Sequence, residues 1–120
     1  RENLRNSRVE INRILEEANA VAEKYNLKLV EIDRTDNIIS LKLIIDNELF
    51  IQIYGNVEKN KLNLTLIFKQ RRLCGYDSEG GKYHCHPFDS PDRHIFVDNK
   101  KSIQEFVEES MEFLEENELL

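Results

Sequence analysis

All three histidines of this chain, His84, His86 and His94, fall with Cys85 inside eleven residues of the stretch from Gly75 to Phe96. Histidine exchanges protons near neutral pH and is also a common metal ligand, so a cluster of this kind marks the place to look for chemistry. If residues 82–86 are extended, His84 and His86 project from one face and Cys85 from the other. Two imidazoles on a wet face, joined by His94 from the neighbouring element, would supply a general acid and a general base for attack on a phosphodiester or another ester. RNA carries its own nucleophile in the 2′-hydroxyl, so cleavage would need no metal. Lys82, Arg93, Arg71 or Arg72 would stabilise charge developing on phosphate. Tyr76 and Tyr83 would stack on unpaired bases, and Asp77 would orient a histidine through its ring N–H.

Two further chemistries compete for the same residues. His84, His86 and His94, with Asp77, Asp89 or Cys85 as a fourth ligand, would suit zinc or another divalent metal by ligand type. The His84-Cys85-His86 spacing matches neither a zinc finger nor a metalloprotease, so no metal or other cofactor is the favoured expectation. The bland reading makes the histidines exposed polar residues on a hairpin. Cys74 and Cys85 lack a nucleophile's surroundings and read as buried, reduced thiols rather than a disulfide, since a chain of 120 residues buries a core without such staples. Gly80-Gly81 lacks the spacing of a phosphate loop.

The elements that must hold this segment follow from periodicity. Ile11, Ile14, Leu15, Ala18, Val21, Ala22 and Tyr25 recur at three-and-four spacing, which predicts a helix; Ser7 and Glu10 form a capping-box pattern that starts it near residue 8, and Asn26 stops it. Four β-type runs come next: 27–33, 38–45, 49–54 and 62 to about 73. Asp46-Asn47 suits the turn between the second and third. Leu62, Leu64, Leu66 and Phe68 alternate with polar residues, as Ile39, Leu41, Leu43 and Ile45 alternate with Ser40 and Lys42. The sheet should therefore have one buried face and one wet face. Residues 78–81 read as a turn between the arms 73–77 and 82–86, and 93–97 as a last short strand. Ser102 and Glu105 cap a final helix that buries Ile103, Phe106, Val107, Met111, Phe113 and Leu114 in part and leaves a glutamate-rich face. The expectation is a single α+β domain over residues 1–120: an antiparallel meander of about five to six strands with an N-terminal and a C-terminal helix on one face.

A net charge of −6 argues against indiscriminate binding to nucleic acid or anionic membrane. The acidity is concentrated at the C-terminus, where residues 102–120 carry seven acidic and no basic side chains, whereas residues 69–101 carry seven basic and five acidic ones. A local anion site near the histidines survives that balance. No apolar run is long enough to span a membrane and no signal-like segment opens the chain, which predicts a cytoplasmic protein.

The run Gly75-Tyr76-Asp77, Gly80-Gly81, His84, His86-Pro87-Phe88 and Arg93-His94-Ile95-Phe96, followed by a Ser-led acidic helix, resembles the small TumE-type toxins of prokaryotic toxin–antitoxin loci over about residues 60–116. The resemblance implies an RNA-directed toxin, in the enzymatic case a ribonuclease, neutralised by a cognate antitoxin. It points to Tyr76, Asp77, His86 and His94, with His84 as a local addition. Ser78 stands where the family has asparagine, and the spacer from Asp77 to His86 is longer. The combined expectation is a toxin-like protein that binds or cleaves RNA, with His86 and His94 as the acid/base pair. The alternative is a non-enzymatic interaction module with a structural or metal-binding histidine loop, whose acidic last helix docks on a basic partner, an antitoxin or a second copy of the chain.

Overall fold

A computed structural model describes residues 2–79, 81–85, 95–96 and 101–120, with the side chains of residues 7–79, 81–82 and 101–120. A first helix, α1 (Glu2–Tyr25), leads into the strands β1 (Lys28–Arg34), β2 (Ile38–Asp46), β3 (Leu49–Asn56), β4 (Lys61–Phe68), β5 (Arg71–Asp77), β6 (Lys82–Cys85) and β7 (Ile95–Phe96), and the chain closes with α2 (Ile103–Glu116). Each strand pairs antiparallel with the next, giving one sheet in the order β1-β2-β3-β4-β5-β6-β7. The expected meander is present, and β6 and β7 extend it by four and two residues.

Alternation decides which sheet face is buried. Ile39, Leu41 and Leu43 of β2, Ile51 and Ile53 of β3, and Leu64 and Leu66 of β4 are fully buried and form one cluster with Ile11, Ala18 and Val21 of α1 and Phe106, Val107 and Leu114 of α2. Both helices therefore lie on the same side of the sheet. Each such aliphatic side chain contributes on the order of 1.5–3 kcal/mol when fully withdrawn from water. Ile45 keeps its place on that face, at the point where the register shifts between Ile44 and Asp46. It is partly buried against the core.

The helix ends are set by hydrogen bonding. At the end of α1 the Leu27 N–H donates to the Ala22 carbonyl at 2.8 Å and the Asn26 N–H to the Glu23 carbonyl at 3.3 Å. Asn26 has φ of 56°, the left-handed residue that this pair of bonds requires. The start differs from the expected capping box: α1 begins at Glu2, so Ser7 lies inside it and Glu10 binds Arg13 at 2.9 Å instead. Glu2, Leu4 and Arg5 are good helix formers, and a Ser-x-x-Glu pattern fits a helix interior as readily as a cap. At α2 the expected box is formed. The Glu105 N–H donates to Ser102 Oγ at 3.1 Å, and the Ser102 N–H donates to Glu105 Oε1 at 3.0 Å.

Two turns correct the sequence reading. β2 continues through Asp46, and the positive φ of the following hairpin falls on Glu48, at 62°, rather than on Asp46 or Asn47. The run 62–73, read as one strand, is two: Lys69 and Gln70 adopt φ of 50° and 65° and reverse the chain between β4 and β5. A two-residue turn with both φ positive normally carries Asn or Gly. Lys-Gln announces nothing, so the apolar pattern runs straight through the reversal.

Among the described residues, no helix is long and apolar enough to cross a membrane.

Candidate nucleic-acid interface

Register builds the sheet face opposite the helices. Lys42 pairs with Gln52, Gln52 with Thr65, Thr65 with Gly75, and Gly75 with His84, so one row crosses five strands. A flanking row runs Ser40, Tyr54, Asn63, Asp77 and Lys82, and the row on the other side runs Lys28, Ile44, Phe50, Ile67 and Arg72. Lys42, Phe50, Gln52, Tyr54 and Thr65 are all partly exposed. No element among the described residues covers them.

This face differs in charge from the protein as a whole. By register it takes Lys28, Lys42, Lys61, Arg72 and Lys82 against Asp33 and Asp77, five basic residues to two acidic ones, in a chain of net charge −6. The seven glutamates after residue 102 belong to α2 and its end, on the other side of the sheet. The fold has separated the charges into two surfaces. Lys42 Nζ sits 4.4 Å from the centre of the Phe50 ring, so cation and aromatic share one patch.

Toward β6 the face becomes more specialised. Arg72 lies over the backbone of Gly75, the residue opposite His84. Asp77 accepts a hydrogen bond from the Glu79 N–H at 2.9 Å, which braces the β5–β6 turn, and Gly81 takes φ of 59° at the end of that turn. With the Asn63 amide oriented so that its nitrogen faces acceptors, it donates to Asp77 Oδ1 at 3.2 Å. Ser78 Oγ accepts from the Leu62 N–H at 2.7 Å and ties the turn to β4.

The expected site residues divide as follows. Arg72, Asp77 and Lys82 belong to the open face, and His84 takes a register position in its central row. Arg71 is exposed but pairs with Phe68, in the row of the opposite face. Tyr76 is 1% exposed and belongs to the core, which removes it as a stacking platform. Tyr83 is opposite Tyr76 in register. His86, Arg93, His94 and Asp89 lie outside the described residues, and with them the full histidine set, catalytic or metal-binding. Among the described residues no group of three or more His, Cys, Asp or Glu side chains could hold a metal ion.

The cysteine expectation is corrected. Cys74, fully buried, is disulfide-bonded, and Cys85, the one other cysteine of the chain, is its direct cross-strand partner. Residues directly opposite in an antiparallel pair have Cβ atoms about 4.5–5.5 Å apart, close to the reach of a disulfide. The sequence reading missed this because it lacked the register.

Lys42, Phe50, Gln52, Tyr54 and Thr65 were not singled out as binding residues. Their signal was the polar half of the strand alternation, which says that a wet face exists but not which residues meet on it.

No family model matches the chain, and no curated protein or solved structure matches it significantly. What the molecule itself defines is a class: an α+β protein whose antiparallel meander carries two helices on one face.

Proposed function

We propose that this chain is an RNA-directed, toxin-like protein of a toxin–antitoxin pair, acting in the cytoplasm, and that it takes RNA on the uncovered face of its sheet. The observation that carries the proposal is the basic character of that face in an acidic protein. Affinity for RNA comes first from lysine and arginine against phosphate, and an open antiparallel sheet with partly exposed aromatics is a recognised platform for splayed single-stranded bases. Lys28, Lys42, Lys61, Arg72 and Lys82 supply the cations, Phe50 and Tyr54 the rings, and Gln52, Asn63 and Thr65 hydrogen-bonding groups for base edges. In this reading His86 and His94 act as acid and base without a metal, delivered by the chain that continues from β6, and His84 assists from the central row. The glutamate face of α2 is the natural docking surface for a basic segment of an antitoxin.

The test is binding of an unstructured RNA oligonucleotide at several salt concentrations, with cleavage followed in parallel with and without EDTA. Wild type should bind with a steep salt dependence, and the Lys42→Glu/Arg72→Glu variant should lose about tenfold or more in affinity. Cleavage should survive EDTA and disappear in His86→Ala/His94→Ala. Equal RNA affinity in wild type and the charge-reversal variant would overturn the assignment of the face.

A further inference from the structure

At the end of the sheet where the β3–β4 turn and the residue after β5 meet α1 and the approach to α2, the protein holds a cleft of about 400 Å³. That is within the size range of small-molecule sites. Ile14, Val57 and Leu62 give it apolar walls, and Tyr76, Ser78 and Lys101 also line it. Hydrogen bonds brace the lining. Ser78 Oγ accepts from the Leu62 N–H at 2.7 Å, the Ser78 N–H donates to the Leu62 carbonyl at 3.0 Å, and Asn56 Oδ1 accepts from the Lys59 N–H at 3.1 Å. Tyr76 is the residue that stands out. It is 1% exposed, yet among the described residues its hydroxyl has no hydrogen-bond partner, whereas a buried phenol normally finds one. The hydroxyl is not sealed off: among the described residues the one fully enclosed side-chain polar atom without a partner is Ser110 Oγ. The space open to Tyr76 is the cleft.

We propose that this cleft binds a small organic carboxylate, its apolar body against Ile14, Val57 and Leu62 and its carboxylate on the Tyr76 hydroxyl beside Lys101. Charge selects the sign of the ligand. The lining holds two ammonium residues, Lys61 and Lys101, against one carboxylate, Glu10, and Glu10 is engaged by Arg13 at 2.9 Å. The side chain of Lys101 is 8% exposed and is paired with Glu109, itself 40% exposed. A cation so far withdrawn from water attracts an anion more strongly than a surface lysine does. Hydrogen-bonding capacity points the same way. A phenol, an ammonium and the Ser78 hydroxyl, whose oxygen already accepts from Leu62, offer protons, and a carboxylate is an acceptor only. Bonds of this charge-assisted kind are about twice as strong as neutral ones. A cationic guest would face the two ammonium groups, and a wholly apolar one would leave the Tyr76 hydroxyl without a partner. The site stands independently of the RNA reading.

Three probes of nearly one shape and different charge test this: benzoate, benzamide and benzylammonium, each titrated at millimolar concentration into the ¹⁵N-labelled full chain and followed by amide chemical shifts. Benzoate should give saturable shifts at residues 56–62, 76–78 and 101–103, while the amides of Lys42, Gln52 and Thr65 on the open face stay in place. Benzamide should bind about tenfold more weakly, for want of the charge-assisted bonds. Benzylammonium should leave the cleft amides unmoved. Tyr76→Phe removes only the hydroxyl and should weaken benzoate by about fivefold, the worth of one hydrogen bond, with little change in benzamide's affinity relative to benzoate's loss. Lys101→Gln should bring benzoate and benzamide to similar affinities. If that variant fails to fold, the three probes on wild type and on Tyr76→Phe decide the matter. No saturable benzoate shift at the cleft, benzylammonium binding there as well as benzoate, or full benzoate affinity in Tyr76→Phe would each overturn the proposal.

Discussion

The side chain of Arg72 occupies the space above Gly75: a Cβ placed on Gly75 would lie 2.6 Å from Arg72 Nε and 2.7 Å from its Cζ. The glycine is needed less for backbone freedom than for this approach, which lays a guanidinium across the row shared with His84. Because the obstructing atoms are the far end of a flexible side chain, Gly75→Ala should displace Arg72 at little cost to the fold. Stability should change by less than about 1 kcal/mol in urea unfolding, since alanine also removes glycine's own penalty in a strand. RNA affinity should nevertheless drop several-fold. Wild-type affinity in that variant would show that the position of Arg72 does not matter for binding.

A second glycine behaves differently. A Cβ on Gly55 would fall 2.8 Å from Ile14 Cδ1 and 3.3 Å from Ile39 Cγ2, both in the packed layer between α1 and the sheet. Gly55→Ala should cost about 1–3 kcal/mol by overpacking. Adding Ile14→Val removes the Cδ1 atom and should recover a large part of that loss. Urea midpoints of the two single variants and the double variant form the cycle that checks it.

The β4–β5 reversal is built from residues ill suited to it. Lys69 and Gln70 both hold positive φ, which non-glycine side chains resist. Replacing the pair with Asn-Gly should stabilise the protein by about 1 kcal/mol. A thermal midpoint that falls instead would mean that the Lys69 and Gln70 side chains make compensating contacts, of which Lys69 over the Phe68 ring at 5.3 Å is one.

The cap of α2 gives the fold a pH dependence. The Ser102 N–H and the hydrogen bond with its side chain hold the Glu105 carboxyl below its ordinary value of 4.5, with Lys101 adding a smaller electrostatic pull. A carboxyl whose folded pKa is depressed contributes stability above its unfolded pKa. That contribution fades as the pH falls from about 4.5 through the lower folded value. Ser102→Ala should cost about 1 kcal/mol at neutral pH through loss of the N-cap bond. That loss should persist at acidic pH, because the bond does not involve the carboxylate, whereas the gap between wild type and Glu105→Gln should narrow below that window, as urea unfolding at neutral and strongly acidic pH would show.

Much of the fold was legible in the sequence because its signals are local. The stripe from Ile11 to Tyr25, the alternation of Ile39, Leu41 and Leu43, the stop at Asn26 and the box of Ser102 and Glu105 each depend on residues a turn or a pleat apart. Those spacings reflect helix and strand geometry whatever packs against them. The chemistry-bearing segment around His84 was legible in the same way, as a density of titratable residues.

Tertiary structure alone decided what meets what. Lys42, Gln52, Thr65, Gly75 and His84 come from five strands and share a row only because four registers agree, and each register is set by burial of the opposite face. The same registers send Tyr76 into the core, place Cys85 opposite Cys74, and gather basic residues from position 28 to position 82 on one surface of an acidic chain. The Lys69-Gln70 reversal belongs here too, since the pairing of β4 with β5 imposes a turn that neither residue prefers. Periodicity is a property of the chain a few residues at a time, whereas register emerges only when distant strands compete to bury the same core.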